Sequence, residues 1–183
     1  MRGRRRRGTG LNSGATNVVA VQVRGPDEHF SQLVESLNPG VQVDSALAPL
    51  ICTGILGEAG QLVEVRHQLE RWVAGTGLPA PGMADLVLST YEALANAAEH
   101  AYPSSQGPVD LVAARTTDGR LLVTVSDRGR WRPPPADPGF RGRGLLMIKA
   151  LAHQAEVRQS PQGTTVHMQW TLPVTGLGPA QHE

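Results

Sequence analysis

The chain has 183 residues, 40% hydrophobic and 18% charged, which suits one domain with a sizeable core and excludes both a wholly disordered chain and two full domains. Its formal charge is +1, but Arg2 and Arg4 to Arg7 supply five bases with no acid among the first ten residues; the remainder sets 12 bases against 16 acids. Cys52 is the single cysteine, which excludes a disulfide framework and a cysteine-based zinc site. No apolar run reaches the ~18 residues of a membrane span, and the stretch Val18 to Val23, broken by Gln22, is too short for the core of a secretory leader, so a cytoplasmic protein without membrane contact is expected.

In chain order, residues 1–17 read as a basic, disordered arm. Such an arm can touch nucleic acid or anionic lipid, or serve only as a solubilising end; no direct nucleic-acid binding is expected. Residues 18–49 form an extension of unknown role, with a strand predicted over Val18 to Arg24, a short helix opened by Pro26 and Asp27 and running to Leu37, and a turn at Asn38-Pro39-Gly40. The main domain is placed at 50–172, with a flexible tail at 173–183. It begins with a strand over Leu50 to Leu56, then a helix over Glu58 to Ala74 with Leu62, Val65, Leu69, Trp72 and Val73 at helical spacing. Gly75-Thr76-Gly77 ends that helix, and Pro79, Pro81 and Gly82 are expected to bend the chain into the next.

The second helix is predicted over Asp85 to Tyr102, a run free of Gly and Pro until Pro103. Strands follow over Val109 to Thr116 and Arg120 to Ser126 around the hairpin signal Thr117-Asp118-Gly119. A loop over Asp127 to Gly144, a short helix over Leu145 to Ala152, and a hairpin pairing Ala155 to Gln159 with Thr164 to Leu172 complete the order β α α β β α β β. Strands gathered together with helices on one face predict an α+β two-layer sandwich with a mixed, mostly antiparallel sheet.

Three places carry residues suited to chemistry. At 3.6 residues per turn, Glu92, Asn96 and Glu99 share one face of the second helix. An ionised Glu accepts hydrogen bonds and protons and an Asn carbonyl is a hard ligand for Mg2+, although the same pair is also common on a solvated face. At the end of a strand, Asp127-Arg128-Gly129 places a carboxylate able to accept from an exocyclic amine beside a glycine that lets backbone come close; the same pattern is most often a turn. In Arg141-Gly142-Arg143-Gly144-Leu145, glycines lead into a helix whose unpaired N–H groups favour phosphate, or else form an ordinary flexible basic entry. Gly163-Thr164 opens the last strand as a turn first and a nucleotide contact second. There is no P-loop signature.

The ordered set Glu92-Ala93-Leu94-Ala95-Asn96-Ala97-Ala98-Glu99-His100-Ala101-Tyr102, Asp127-Arg128-Gly129, Gly142-Arg143-Gly144-Leu145 and Gly163-Thr164 resembles the ATP-binding domain of the GHKL superfamily of gyrase, histidine kinases and mismatch-repair ATPases. Within it, the short domain and the Glu-His-Ala-Tyr ending resemble the bacterial anti-sigma-factor serine/threonine kinases, over about residues 50–172. The resemblance implies that Asn96 holds Mg2+ against the phosphates of ATP and that Glu92 is the base that activates an acceptor hydroxyl. It further implies that Asp127 reads adenine with Gly129 making room, that Arg141, Gly142, Arg143, Gly144 and Leu145 belong to the phosphate lid, and that Thr164 helps near the base. The chain departs from the family pattern where Arg130-Trp131 replaces a second glycine and Pro133-Pro134-Pro135 stiffens the lid.

The function implied is an ATP-dependent serine/threonine protein kinase that phosphorylates an anti-sigma antagonist protein and sequesters a sigma factor, acting as a homodimer. A different class stands beside it: a non-catalytic ATP-binding regulatory module working through protein contacts. A sensor histidine kinase fragment using His67 is disfavoured, because Gln68 stands where an acid normally follows the acceptor and a dimerising helical hairpin is missing. His67 reads as a surface histidine and His100 as a helix-end packing residue.

Overall fold

The computed structural model describes residues 40–102, 107–129 and 144–173. The strand and helix expected before residue 38 lie outside them. The main domain runs β1 (Leu50–Ile55), α1 (Ala59–Ala74), α2 (Ala80–His100), β2 (Val109–Arg115), β3 (Arg120–Asp127), α3 (Gly144–Leu151), β4 (Gln154–Ser160) and β5 (Gly163–Thr171). The strands form one sheet in the order β1-β2-β3-β5-β4, and all four pairings are antiparallel. The expected α+β architecture holds, as does the order of its elements.

Alternation decides which side of the sheet meets the helices. Leu111 and Ala113 of β2, Leu121, Val123 and Val125 of β3, and Val166, Met168 and Trp170 of β5 all point into one core. Against them α1 buries Leu62, Val65, Leu69, Trp72 and Val73, the stripe read from the sequence, and α2 buries Leu86, Val87, Ala93 and Leu94. Fully buried Trp170 stabilises by roughly 1.5–3 kcal/mol through area alone. Its indole N–H also donates to the Leu151 carbonyl at 3.2 Å, tying the end of α3 to β5.

One boundary differs from expectation. The second helix begins at Ala80, five residues early, with Pro79 at its N-cap and Pro81 inside its first turn. A first-turn proline removes an N–H that has no intrahelical partner anyway, so the prolines start this helix rather than bend the chain ahead of it. At the other end the helix stops at His100, and Tyr102 turns away. The β2–β3 hairpin forms at the predicted turn, with Gly119 at φ 76 and the Thr116 hydroxyl close to the Asp118 carboxylate.

Candidate nucleotide site

Glu92 and Asn96 lie one turn apart on α2 and both are half-buried, with the Asn96 amide donating to Glu92 Oε1 at 3.5 Å. Glu99, expected on the same face, is exposed. The helical repeat alone brings the first two together, but the wall they face comes from 48 residues further along. Gly144, the first residue of α3, is buried directly against them: a Cβ built there would land on Glu92 Oε1 and Asn96 Nδ2. Glycine is needed by close approach, and the approach sets a carboxylate and a carboxamide beside the positive end of an eight-residue helix. Leu145 follows half-buried and packs into the core, fixing the direction of α3.

The second half of the site is at the end of β3. Asp127 is buried, and its Oδ1 accepts from the backbone N–H of Gly129 at 2.9 Å and of Thr164 at 3.3 Å. Burial pushes this carboxyl above the ordinary Asp range, and the two backbone donors pull part of the way back. Thr164 is thus joined to Asp127 through its backbone. Gly163 makes the joint possible: its φ is 141, and a Cβ there would strike the Asp127 carbonyl oxygen. Gly129 is buried against the end of α2, where a Cβ would collide with the Ala101 carbonyl. Its missing side chain is first required by that helix terminus.

Tyr102 closes the arrangement. Its hydroxyl donates to the Pro108 carbonyl at 2.7 Å and accepts from the backbone N–H of Arg128 at 2.9 Å, while Gly107 lies against its ring. The residue two places after α2 therefore holds the peptide between Asp127 and Gly129. Its presence in the Glu-His-Ala-Tyr ending was a sequence signal; its hydrogen bonds, 6 and 26 residues away, were not. Arg128 itself reaches back to Asp110 at 2.7 Å.

Among the described residues, the structure brings Glu92, Asn96, Gly144 and Leu145 together on one side and Asp127, Gly129 and Thr164 together on the other, with the end of α2 linking the two at Ala101. Arg141, Gly142 and Arg143 lie outside the described residues, as do Arg130, Trp131 and the three prolines. His67 is an exposed residue of α1, as a surface histidine should be, and His100 is exposed at the end of α2 rather than packed. No cluster of three or more His, Cys, Asp or Glu that could hold a metal is formed among the described residues. No described helix is long and apolar enough to cross a membrane.

The donor set fits a magnesium nucleotide. Asn96 offers an oxygen to a hard cation, α3 offers N–H groups to phosphate, and Asp127 combines a free lone-pair capacity with burial at the far end. Gly144 lets the start of α3 lie directly against the two α2 side chains, where a Cβ would strike both.

An antiparallel sheet covered on one face by helices, with the Glu92–Asn96 pair at a helix N-terminus and a buried Asp at a strand end, defines a nucleotide-binding α+β domain. The chain belongs to the histidine kinase-like ATPase domain family, whose model matches residues 56–170. It is similar to the crystal structure of the RsbU and RsbW domains of Rv1364c from Mycobacterium tuberculosis, at 31% identity and a TM-score of 0.55 over 68% of this chain. The chain spans 32% of that structure's length. Lower likenesses are to the Erythrobacter litoralis EL346 blue-light activated histidine kinase, at 22% identity and TM-score 0.47 over 65% of this chain and 42% of the other, and to the SiaB–SiaC complex from Pseudomonas aeruginosa, at 13% and 0.49 over 80% and 98%. The resemblance read from the motifs is thereby met at the level of the family.

Proposed function

We propose that this chain is a cytoplasmic switch kinase that binds Mg-ATP, transfers the γ-phosphoryl group to a Ser or Thr of an anti-sigma antagonist protein, and sequesters a sigma factor. The observation that carries the reading is the meeting of Glu92 and Asn96 with Gly144 at the start of α3. Bound Mg2+ would neutralise charge on the phosphates. Asn96 supplies that cation with an oxygen, and the N-terminus of α3 faces the anionic tail. Glu92 takes the proton of the attacking hydroxyl as its oxygen bonds to the γ-phosphorus and the bond to the ADP oxygen breaks. Asp127 accepts from the adenine amine, a bond that a 6-oxo purine cannot donate. Positioning and charge neutralisation then supply the catalysis. The motif resemblance to anti-sigma-factor kinases and the 31% identity to the RsbU and RsbW domain structure support the choice of substrate class.

The test pairs binding with transfer. The wild-type chain, incubated with labelled ATP and candidate antagonists, is expected to label one of them on Ser or Thr. Glu92→Gln is expected to lower transfer by about 10²–10⁴ while ATP binding, followed by calorimetry, stays close to wild type. Binding without transfer to any candidate would leave a regulatory ATP-binding module acting through protein contacts. Absence of any heat with ATP removes both readings.

A further inference from the structure

The sheet has a second apolar face. Alternation turns Val112 and Ala114 of β2 away from the helices, and the register sets them directly across from Thr124 and Leu122 of β3. These four side chains are only 2–8% exposed. Yet α1, α2 and α3 all pack on the opposite face. The described cover on this side is Val41, Val43 and Ile51, which pack on Val112 and Ala114. A small side chain such as Ala114 cannot be kept from water by its strand neighbours alone.

The chain itself enters from this side. Val43 bridges Thr116, the Asp44 N–H donates to the Arg115 carbonyl at 2.8 Å, and the Thr117 N–H donates to the Gln42 carbonyl at 3.0 Å. Gly40, at φ 78, turns the backbone just before this contact. Ahead of it, Phe30, Leu33, Val34 and Leu37 recur at i, i+3, i+4 and i+7 between Pro26-Asp27 and Asn38-Pro39. As a helix, residues 27–37 would be about 16 Å long with one apolar stripe. The run from Val112 to Thr116 along the sheet is about 13 Å. Length and hydrophobic pattern match.

We infer that residues 27–37 of this chain dock as an amphipathic helix on the back of the sheet, over Val112, Ala114, Leu122 and Thr124. The other stretches of the chain suit this face less. Gly129 and Gly144, which flank residues 130–143, both lie on the helical side, against Ala101 and Glu92. Residues 174–183 offer only Val174 and Leu177 as large apolar side chains. With its own segment in place, the back of the sheet is a finished core and not a docking surface for another protein. The extension becomes part of the ATPase domain, and the inference does not depend on phosphoryl transfer.

Cysteines introduced in the full chain test it. Gln169 lies on the back face, across from Leu122. The native Cys52 is buried with its thiol pushed up to about 12, so it stays out of the reaction. Val34→Cys combined with Gln169→Cys is expected to give, on mild oxidation, a reductant-reversible link within one chain. Gln32→Cys, on the polar side of the same helix, should link to Gln169→Cys at least about fivefold less, because its side chain points about half a turn away. Linked dimers would assign the face to a second copy and overturn the inference. So would two titratable thiols that stay unlinked in a folded monomer, or equal linking from positions 32 and 34.

Discussion

The two walls of the candidate site are held in different ways. On the sheet side, Asp127 Oδ1 is engaged by two backbone N–H groups, Gly163 crowds its carbonyl, and Tyr102 clamps the adjoining peptide. On the helical side, Glu92 and Asn96 touch only at 3.5 Å and remain half-buried against Gly144. The first wall has its hydrogen bonds made by the chain itself and can hold a flat ring in a set place. The second is a pair of polar side chains against a helix end, with no close bond between them. In the proposed function, shape is read where the structure is closed and charge where it is open.

The sharpest way to break this comparison is to close the open wall. Gly144→Ala pushes a methyl group onto Glu92 and Asn96, and crowding of this kind costs about 1–3 kcal/mol of stability in the chain without nucleotide. Because the displaced pair is the proposed phosphate end, ATP affinity should fall as well, by roughly tenfold in calorimetry. Equal affinity for wild type and variant would show that the α3 terminus is not at the phosphates.

Next, Asp127→Asn keeps an oxygen for the Gly129 and Thr164 N–H groups but adds an amide donor. It should reduce the preference for ATP over GTP by about tenfold, measured as a ratio of dissociation constants. The same variant tests the burial. A carboxyl raised above its unfolded value contributes stability that is full below the ordinary Asp range and lost as pH rises through the raised value. The stability of Asp127→Asn relative to wild type should therefore grow with pH across that window and then level off in urea melts.

A smaller effect is expected from Tyr102→Phe, which keeps the ring beside Gly107 and removes both hydroxyl bonds. Adenosine affinity should fall about fivefold, near 1 kcal/mol, while inorganic tripolyphosphate binds as before. A parallel loss of both would mean that Tyr102 supports the fold generally and not the base end alone.

The smallest lies on the back of the sheet and leaves the site alone. His167, beside the Thr124 hydroxyl at 3.2 Å, is lowered from the usual His range by burial and then by Arg158, against a smaller opposing pull from Glu156. Its share of stability is present above the unfolded value and lost as pH falls through the lowered one. His167→Gln should flatten the acid side of the stability curve without changing ATP affinity.

Much of this molecule is written locally. The stripe of α1, the strands β2, β3 and β5, and the Thr117-Asp118-Gly119 turn follow from helical period, strand composition and turn chemistry, and they appear where the sequence places them to within a residue or two. The Glu92–Asn96 pair is equally local, since four residues of helix suffice to align it. The start of α2 was misplaced because a proline at a helix entry and a proline in a bend look alike in sequence.

What tertiary structure alone decided is which distant backbone each glycine and polar group meets. Gly129 and Gly163 read as turn residues and Gly144 as a helix entry, yet each is required by a different partner: the Ala101 carbonyl, the Asp127 carbonyl and the Glu92–Asn96 pair in turn. Asp127 takes its second donor from 37 residues away, and the Tyr102 hydroxyl takes its donor from 26. A missing side chain leaves no mark of what comes close to it, and a hydrogen bond across the sheet has no period to betray it. The sequence therefore determined most of the elements and the alignment of Glu92 with Asn96, and packing of α3 and the sheet against α2 determined the rest.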